Sequence, residues 1–294
     1  MDPDSGDFFK ASKLAKITLL TLIFTTCYFY KARQREPVLK LTVSKKDSSV
    51  SLTVKEKPAI KKKKKNIYLS FDDGPNKGTQ NVLDIINKEE VDATLFLVGG
   101  HVYGSRQQNA LYDSILSSRF VEIANHSYTH AKNRYAKFYA VPDSVVKDFE
   151  RCADSLQLSS NIIRTPGRNI WRINNISCTD IKSSLAAADS LEHKGYKVMG
   201  WDLEWHYNDD LKAVQTSDEM AREVDSMFTY NLTKVPNHLV LLAHDQVYAD
   251  SEDSSSLHQF LKTLKERGEY NFSSVKNYPG INNEFATDTS LTKK

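Results

Sequence analysis

From Ile67 onward short apolar runs alternate with amphipathic stretches, and this alternation limits the fold more than any other feature of the 294 residues. The runs are IYLSF (67–71), ATLFLV (93–98), FVEIAN (120–125), NIIR (161–164), YKVMGW (196–201) and HLVLLAH (238–244). Between them lie NVLDIINKEE, QQNALYDSILSS, PDSVVKDFERCADSLQL, DIKSSLAAADSLEHKG, SDEMAREVDSMFTYNL and SSLHQFLKTLKERG, whose apolar residues recur at three- and four-residue steps. Strand and helix in repeated succession require a mainly parallel sheet covered by helices, either open and doubly wound or closed as a barrel. The sequence shows no internal repeat of fixed period.

Polar residues fall at one end of these runs. Asp72 and Asp73 follow the first, His126 the third, Arg164 ends the fourth, Asp202 follows the fifth and His244 ends the sixth. Parallel α/β folds assemble their sites at the carboxyl ends of the strands. Five strands that deliver ionisable groups to that face predict a pocket, with the adjacent aspartates at its floor.

Composition narrows the classes. At 40% hydrophobic and 26% charged the chain is neither disordered nor fibrous. A net charge of +3, with five lysines together at 61–65, gives no argument for nucleic acid. Cys27, Cys152 and Cys178 lie far apart with no metal-binding spacing, which leaves a Cys152–Cys178 bridge open.

Upstream, Ile17 to Tyr30 is an uncharged run between Lys16 and Lys31. As a helix it covers only about 20 Å, and Leu14 and Ala15 with a snorkelling Lys16 extend it toward a span. Bulky aromatics stand where a cleavage site needs small residues, so the expected reading is an uncleaved anchor at 14–30. A cleaved signal, a lipid-modified Cys27 and a soluble helix are the alternatives. Basic residues flank both ends alike and do not orient the segment. The organisation expected is a short tail (1–13), the anchor (14–30), a polar basic tether (31–66), a catalytic domain (67–281) and a polar tail (282–294).

His126 and His130, four residues apart, suit one cation if a helical turn carries them, although that spacing alone is weak among eight histidines. A carboxylate from the first strand end completes a two-histidine, one-aspartate set of the catalytic kind, with positions open for water and substrate. The second carboxylate then serves as a base, and His244 as an acid.

The segments SFDDGP, HSYTH, RTPGR, WDLEW and LLAHD, in that order across most of 67–281, resemble the five motifs of the polysaccharide deacetylases, the NodB-homology domain of carbohydrate esterase family 4. The resemblance implies a distorted (β/α) barrel that removes N- or O-acetyl groups from sugars with one divalent metal ion, most often zinc. By it, Asp72 is the general base on metal-bound water, Asp73, His126 and His130 are the metal ligands, and His244 is the general acid. Arg164 orients the base, a backbone N–H near Gly167 steadies the oxyanion, and Leu242 walls the acetyl methyl. Asp202 is the expected partner of His244, with Glu204 the alternative, and Asp245 either positions that imidazole or caps a helix. Trp205 either stacks on sugar or is buried core. RTPGR departs from the family pattern at Gly167, where an aromatic is common, and at Arg168, where glycine is common, which puts the sugar subsite in doubt.

The substrate so implied is an acetylated glycan of the cell envelope, peptidoglycan or chitin-like, met by a membrane-anchored domain on the periplasmic or extracellular face. Two alternatives stand beside it: a glycan-binding domain that has lost turnover, and a hydrolase of non-peptide C–N bonds in small molecules.

Overall fold

A computed structural model describes residues 64–281. The expected anchor, most of the tether and the C-terminal tail lie outside the described residues, and among the described residues no helix is long and apolar enough to cross a membrane.

Ten strands form one sheet among the described residues, in the order β6-β5-β7-β4-β3-β2-β1-β9-β8, with β10 also paired to β1. They are β1 (Lys65–Asp72), β2 (Ala93–Leu97), β3 (Val121–Asn125), β4 (Ile162–Ile163), β5 (Ile170–Ile173), β6 (Ile176–Thr179), β7 (Lys197–Val198), β8 (Leu203–Glu204), β9 (His238–His244) and β10 (Tyr270–Phe272). All pairings are parallel except β5 with β6 and β7. No ladder joins β6 to β8 among the described residues, so the sheet is barrel-like but open. β1 starts two residues before the expected boundary, because Lys65 and Asn66 already pair with Tyr270 and Asn271.

The apolar runs form central strands because both faces are covered. The pleat sends Ile67, Leu69 and Phe71 of β1, with Leu239, Leu241 and Ala243 of β9, into a core shared with helices Thr79–Glu89 and Ser251–Arg267. The alternate residues Tyr68 and Val240 face inward with Phe96, Ala124, Trp171 and Tyr278. Each fully buried large side chain contributes about 1.5–3 kcal/mol by leaving water.

Helix ends carry their own signals. Thr216 and Glu219 form a reciprocal capping box before helix Ser217–Thr229. Asp250 accepts the N–H groups of Glu252 and Asp253 at the start of Ser251–Arg267, and Gly268 ends that helix with φ 65°.

The segment after β10 crosses the amino ends of the strands. The Val275 N–H donates to Thr94 Oγ1 at 3.0 Å, the Lys276 N–H to Glu122 Oε2 at 3.0 Å, and Tyr278 packs edge-on to Tyr68. That end is filled. The carboxyl end of the sheet is left for the site.

Candidate active site

Inward alternation continues up β1 and β9. After Tyr68 the next inward residues of β1 are Ser70 and Asp72, and after Val240 those of β9 are Leu242 and His244. Parallel pairing sets Ser70 beside Leu242 and Asp72 beside His244, so the base and acid expected from sequence are register partners.

Asp72 is 3% exposed and its Oδ1 accepts from Arg164 Nη1 at 2.8 Å. Arg164 is fully buried and each of its nitrogens donates: Nε to the Met199 carbonyl, Nη1 also to Ser70 Oγ, and Nη2 to the Gly200 carbonyl. Its guanidinium also lies over the Phe96 ring. Held at so many points, it fixes one oxygen of Asp72 and leaves Oδ2 facing His126.

His126 Nδ1 lies 2.9 Å from the Arg164 carbonyl. A carbonyl only accepts, so Nδ1 carries the proton and the neutral ring presents a lone pair at Nε2. That Nε2 is 3.6 Å from Asp72 Oδ2 and 3.4 Å from Asp73 Oδ1, and His130 Nε2 is 3.0 Å from the same Asp73 oxygen. The donor atoms of Asp73, His126 and His130 all lie within 4.8 Å of one another. Close as they are, the angles do not satisfy a hydrogen bond, and Asp73 Oδ1 is buried without a donor. Two imidazole nitrogens and an orphaned carboxylate oxygen around one point fit a divalent cation.

The ionisation balance agrees. Burial raises Asp73, but the nearby imidazoles of His126 and His130 outweigh it and hold its carboxyl well below the usual range. Burial lowers His126, and Asp72 and Asp73 overcome it to leave the imidazole raised. The site favours positive charge.

Backbone strain marks the same residues. Asp73 has φ 76°, and His130 to Asn133 run consecutively at φ between 49° and 56°. Left-handed backbone costs about 1–2 kcal/mol per non-glycine residue. The expectation that a helical turn carries His126 and His130 therefore does not hold: Ser127, at φ 66°, turns the chain, and its Oγ accepts the His130 N–H at 3.0 Å.

A cleft of about 270 Å³ opens above these groups, and Gly167, Leu242 and His244 line it. Gly167 has φ 60°, and a Cβ there would come within 3.0 Å of the Tyr135 ring. His244 Nδ1 is buried with no hydrogen-bond partner.

Two expected residues do not come to the cleft. Asp202 accepts the Lys234 N–H at 2.8 Å and the Val240 N–H at 2.9 Å, so it braces the entry to β9 and does not pair with His244. Glu204, the alternative, lines the cleft. Trp205 is 2% exposed, packs on Tyr248 and Phe260, and donates to the Gln215 carbonyl, so it is core. Trp201, Tyr207, Tyr135 and Asp180 line the cleft instead. Asp245 neither caps a helix nor pairs with His244 Nδ1. Fully buried, it accepts from the side chains of Asn76 and Thr79 and so ties the Asp72–Asp73 loop to the end of β9. Burial pushes its carboxyl up to about 7 against the pull of those two donors.

Residues 59–170 match the family described as polysaccharide deacetylase. That stretch contains Asp72, Asp73, His126, His130, Arg164 and Gly167. Over that stretch, less than half of its length, this chain is similar to the polysaccharide deacetylases. A chitin disaccharide deacetylase of Vibrio alginolyticus is 25% identical over 205 residues, covering 48% of each chain. A peptidoglycan-N-acetylglucosamine deacetylase of Bacillus cereus is 26% identical over 216 residues, covering 70% of this chain and 68% of that one. The chain thus spans about half to two thirds of the length of these curated relatives. A CE4 esterase structure from Streptococcus mutans superposes with TM-score 0.55 at 22% identity, covering 72% of this chain and 86% of that one. At that identity the likeness is one of fold.

The sequence signal for Tyr135 and Tyr207 is faint. Neither falls on a periodic face, and only their closeness to HSYTH and WDLEW hints at the cleft.

Proposed function

We propose that this chain hydrolyses acetyl groups, chiefly N-acetyl groups, from an acetylated glycan of the cell envelope, with peptidoglycan ahead of chitin-like polymers. The observation that carries the reading is the convergence of Asp73, His126 and His130 within 4.8 Å, with Asp72 Oδ2 at 3.6 Å from His126 Nε2. Two imidazoles and one carboxylate suit zinc best. When bound there, the cation acidifies a water and polarises the acetyl carbonyl.

The chain's own residues carry the protons. Arg164 holds Asp72 Oδ1, so Oδ2 takes the proton of the water whose oxygen bonds to the acetyl carbon. The backbone around Gly167 faces the resulting oxyanion, and Leu242 gives the methyl an apolar wall. As the C–N bond breaks, His244 passes a proton to the departing nitrogen. The products are acetate and a free amine. Glu204, across the β8–β9 ladder from Leu242, also lines the cleft, with its carboxylate 3.7 Å from His206 Nδ1.

We place the domain on the outer side of a membrane, held by residues 14–30. The uncharged run and the polymeric substrate support that reading, and externally added protease should remove the domain from intact cells.

The test is to incubate the purified chain, metal-loaded or chelated, with peptidoglycan, chitin oligomers and acetylated xylan and to quantify acetate. Chelator-sensitive release from one preferred polymer is expected. Polymer binding without release would instead mark a glycan-binding domain, and release from small cyclic amides alone a different hydrolase.

A further inference from the structure

Two tyrosines with no part in the proton transfers line the cleft, and each packs against one of its histidines. Tyr135 meets His130 edge-on, with centroids 5.9 Å apart and planes at 88°. Tyr207 meets His244 at 4.9 Å and 66°. Sheet order keeps the pairs apart: His130 follows β3, to one side of β1, while His244 ends β9, on the other side. Asp72 and Asp73, at the end of β1, lie between them.

Both rings are held. Tyr135 lies over Gly167, where a Cβ would stand 3.0 Å from its ring, and the Arg168 guanidinium stands 5.7 Å from its centroid. Tyr207 is fixed by a backbone bridge to Ala213. Both are half-buried, so each keeps aromatic surface toward the cleft. At about 270 Å³ the cleft falls just below the ~300–1,000 Å³ of drug-sized sites, which suits one sugar unit.

We infer that Tyr135 and Tyr207 are substrate-binding residues that grip the acetylated sugar from opposite sides, and that they select a pyranose whose ring substituents are all equatorial. The inference rests on the deacetylase reading. Such a ring offers C–H surfaces to aromatic side chains on both sides. An axial hydroxyl sets a polar group against one ring and strips its water without a partner.

The experiment is calorimetric titration of the metal-loaded Asp72→Asn chain with triacetylchitotriose, whose sugars are all-equatorial, and with an N-acetylgalactosamine oligomer. Tyr135→Ala and Tyr207→Ala, each in that background, should weaken trimer binding about tenfold, as loss of an aromatic contact does. Tyr135→Phe and Tyr207→Phe should stay within about threefold, which separates ring contact from misfolding. The galacto oligomer should bind at least about tenfold more weakly than the trimer, and the alanine variants should narrow that gap. Alanine variants that bind the trimer as tightly as the parent overturn the inference. So does a parent that binds no trimer, and acetate release from peptidoglycan by the wild-type chain then shows separately whether the deacetylase reading stands.

Discussion

Arg164 Nη1 lies 2.8 Å from Asp72 Oδ1, with the two side chains 0% and 4% exposed. The pair is dry, and its arginine has no spare nitrogen. Removing one partner of a buried pair leaves a charge without compensation and costs about 3–5 kcal/mol. Arg164→Ala should lower stability by that amount in urea unfolding and abolish acetate release. Arg119→Ala, which breaks a pair with Glu90 at 76% and 66% side-chain exposure, should cost less than about 1 kcal/mol.

On the proposed mechanism the donor cluster and Asp72 have separable roles. His126→Ala or Asp73→Ala removes a ligand, so metal affinity measured by competition with a chelator should fall at least ~100-fold. Asp72→Asn should leave that affinity within a few-fold and lower kcat by about 10²–10⁴, the usual contribution of a general base. Equal loss of metal by all three variants would place Asp72 among the ligands.

Asp202 gives a pH signature away from the cluster. Burial raises its carboxyl from the ordinary 3.8 to about 6, against the pull of the Val240 and Lys234 N–H groups. The folded chain therefore holds a proton that the unfolded chain has released between those values. Its contribution to stability is present in full below about 3.8 and is lost as pH rises through about 6. Wild-type stability should fall relative to Asp202→Asn across this window, by up to ~1.4 kcal/mol per pH unit, and run parallel to it above. Urea melts at several pH values measure the difference. Parallel curves throughout would mean that the carboxyl is not shifted.

The thiols should differ sharply. Cys152 and Cys178 are both free, so the bridge left open by sequence is not formed. Cys152 is fully buried and its thiol is pushed up to about 12 by burial, whereas Cys178 is exposed. In a Cys27→Ser chain, an aromatic disulfide reagent should titrate one thiol in native buffer and two in denaturant.

The sequence by itself determined the strands and donors that obey a simple period. IYLSF and HLVLLAH read as doubly buried strands because their interior residues are apolar or small, and a period of two then sends Asp72 and His244 inward. Asp73, His126 and Arg164 were legible for a related reason: ionisable residues at the ends of apolar runs must gather where parallel strands end, and His130 was legible by its four-residue spacing from His126. Tertiary structure alone decided the rest. The two-residue strand β8 carries no period, and the β5–β6 hairpin lay hidden between helical stretches, whereas β4 and β7 fall inside the runs NIIR and YKVMGW. In WDLEWHY, facing is set by the β8–β9 ladder that seats Glu204 beside Leu242, which brings Trp201 and Tyr207 to the cleft and sends Trp205 to the core. Tyr135 arrives through four left-handed residues that no hydrophobic pattern encodes. Periodicity reports which way a regular backbone turns its side chains, and where the backbone is irregular only the contacts of the folded chain can choose.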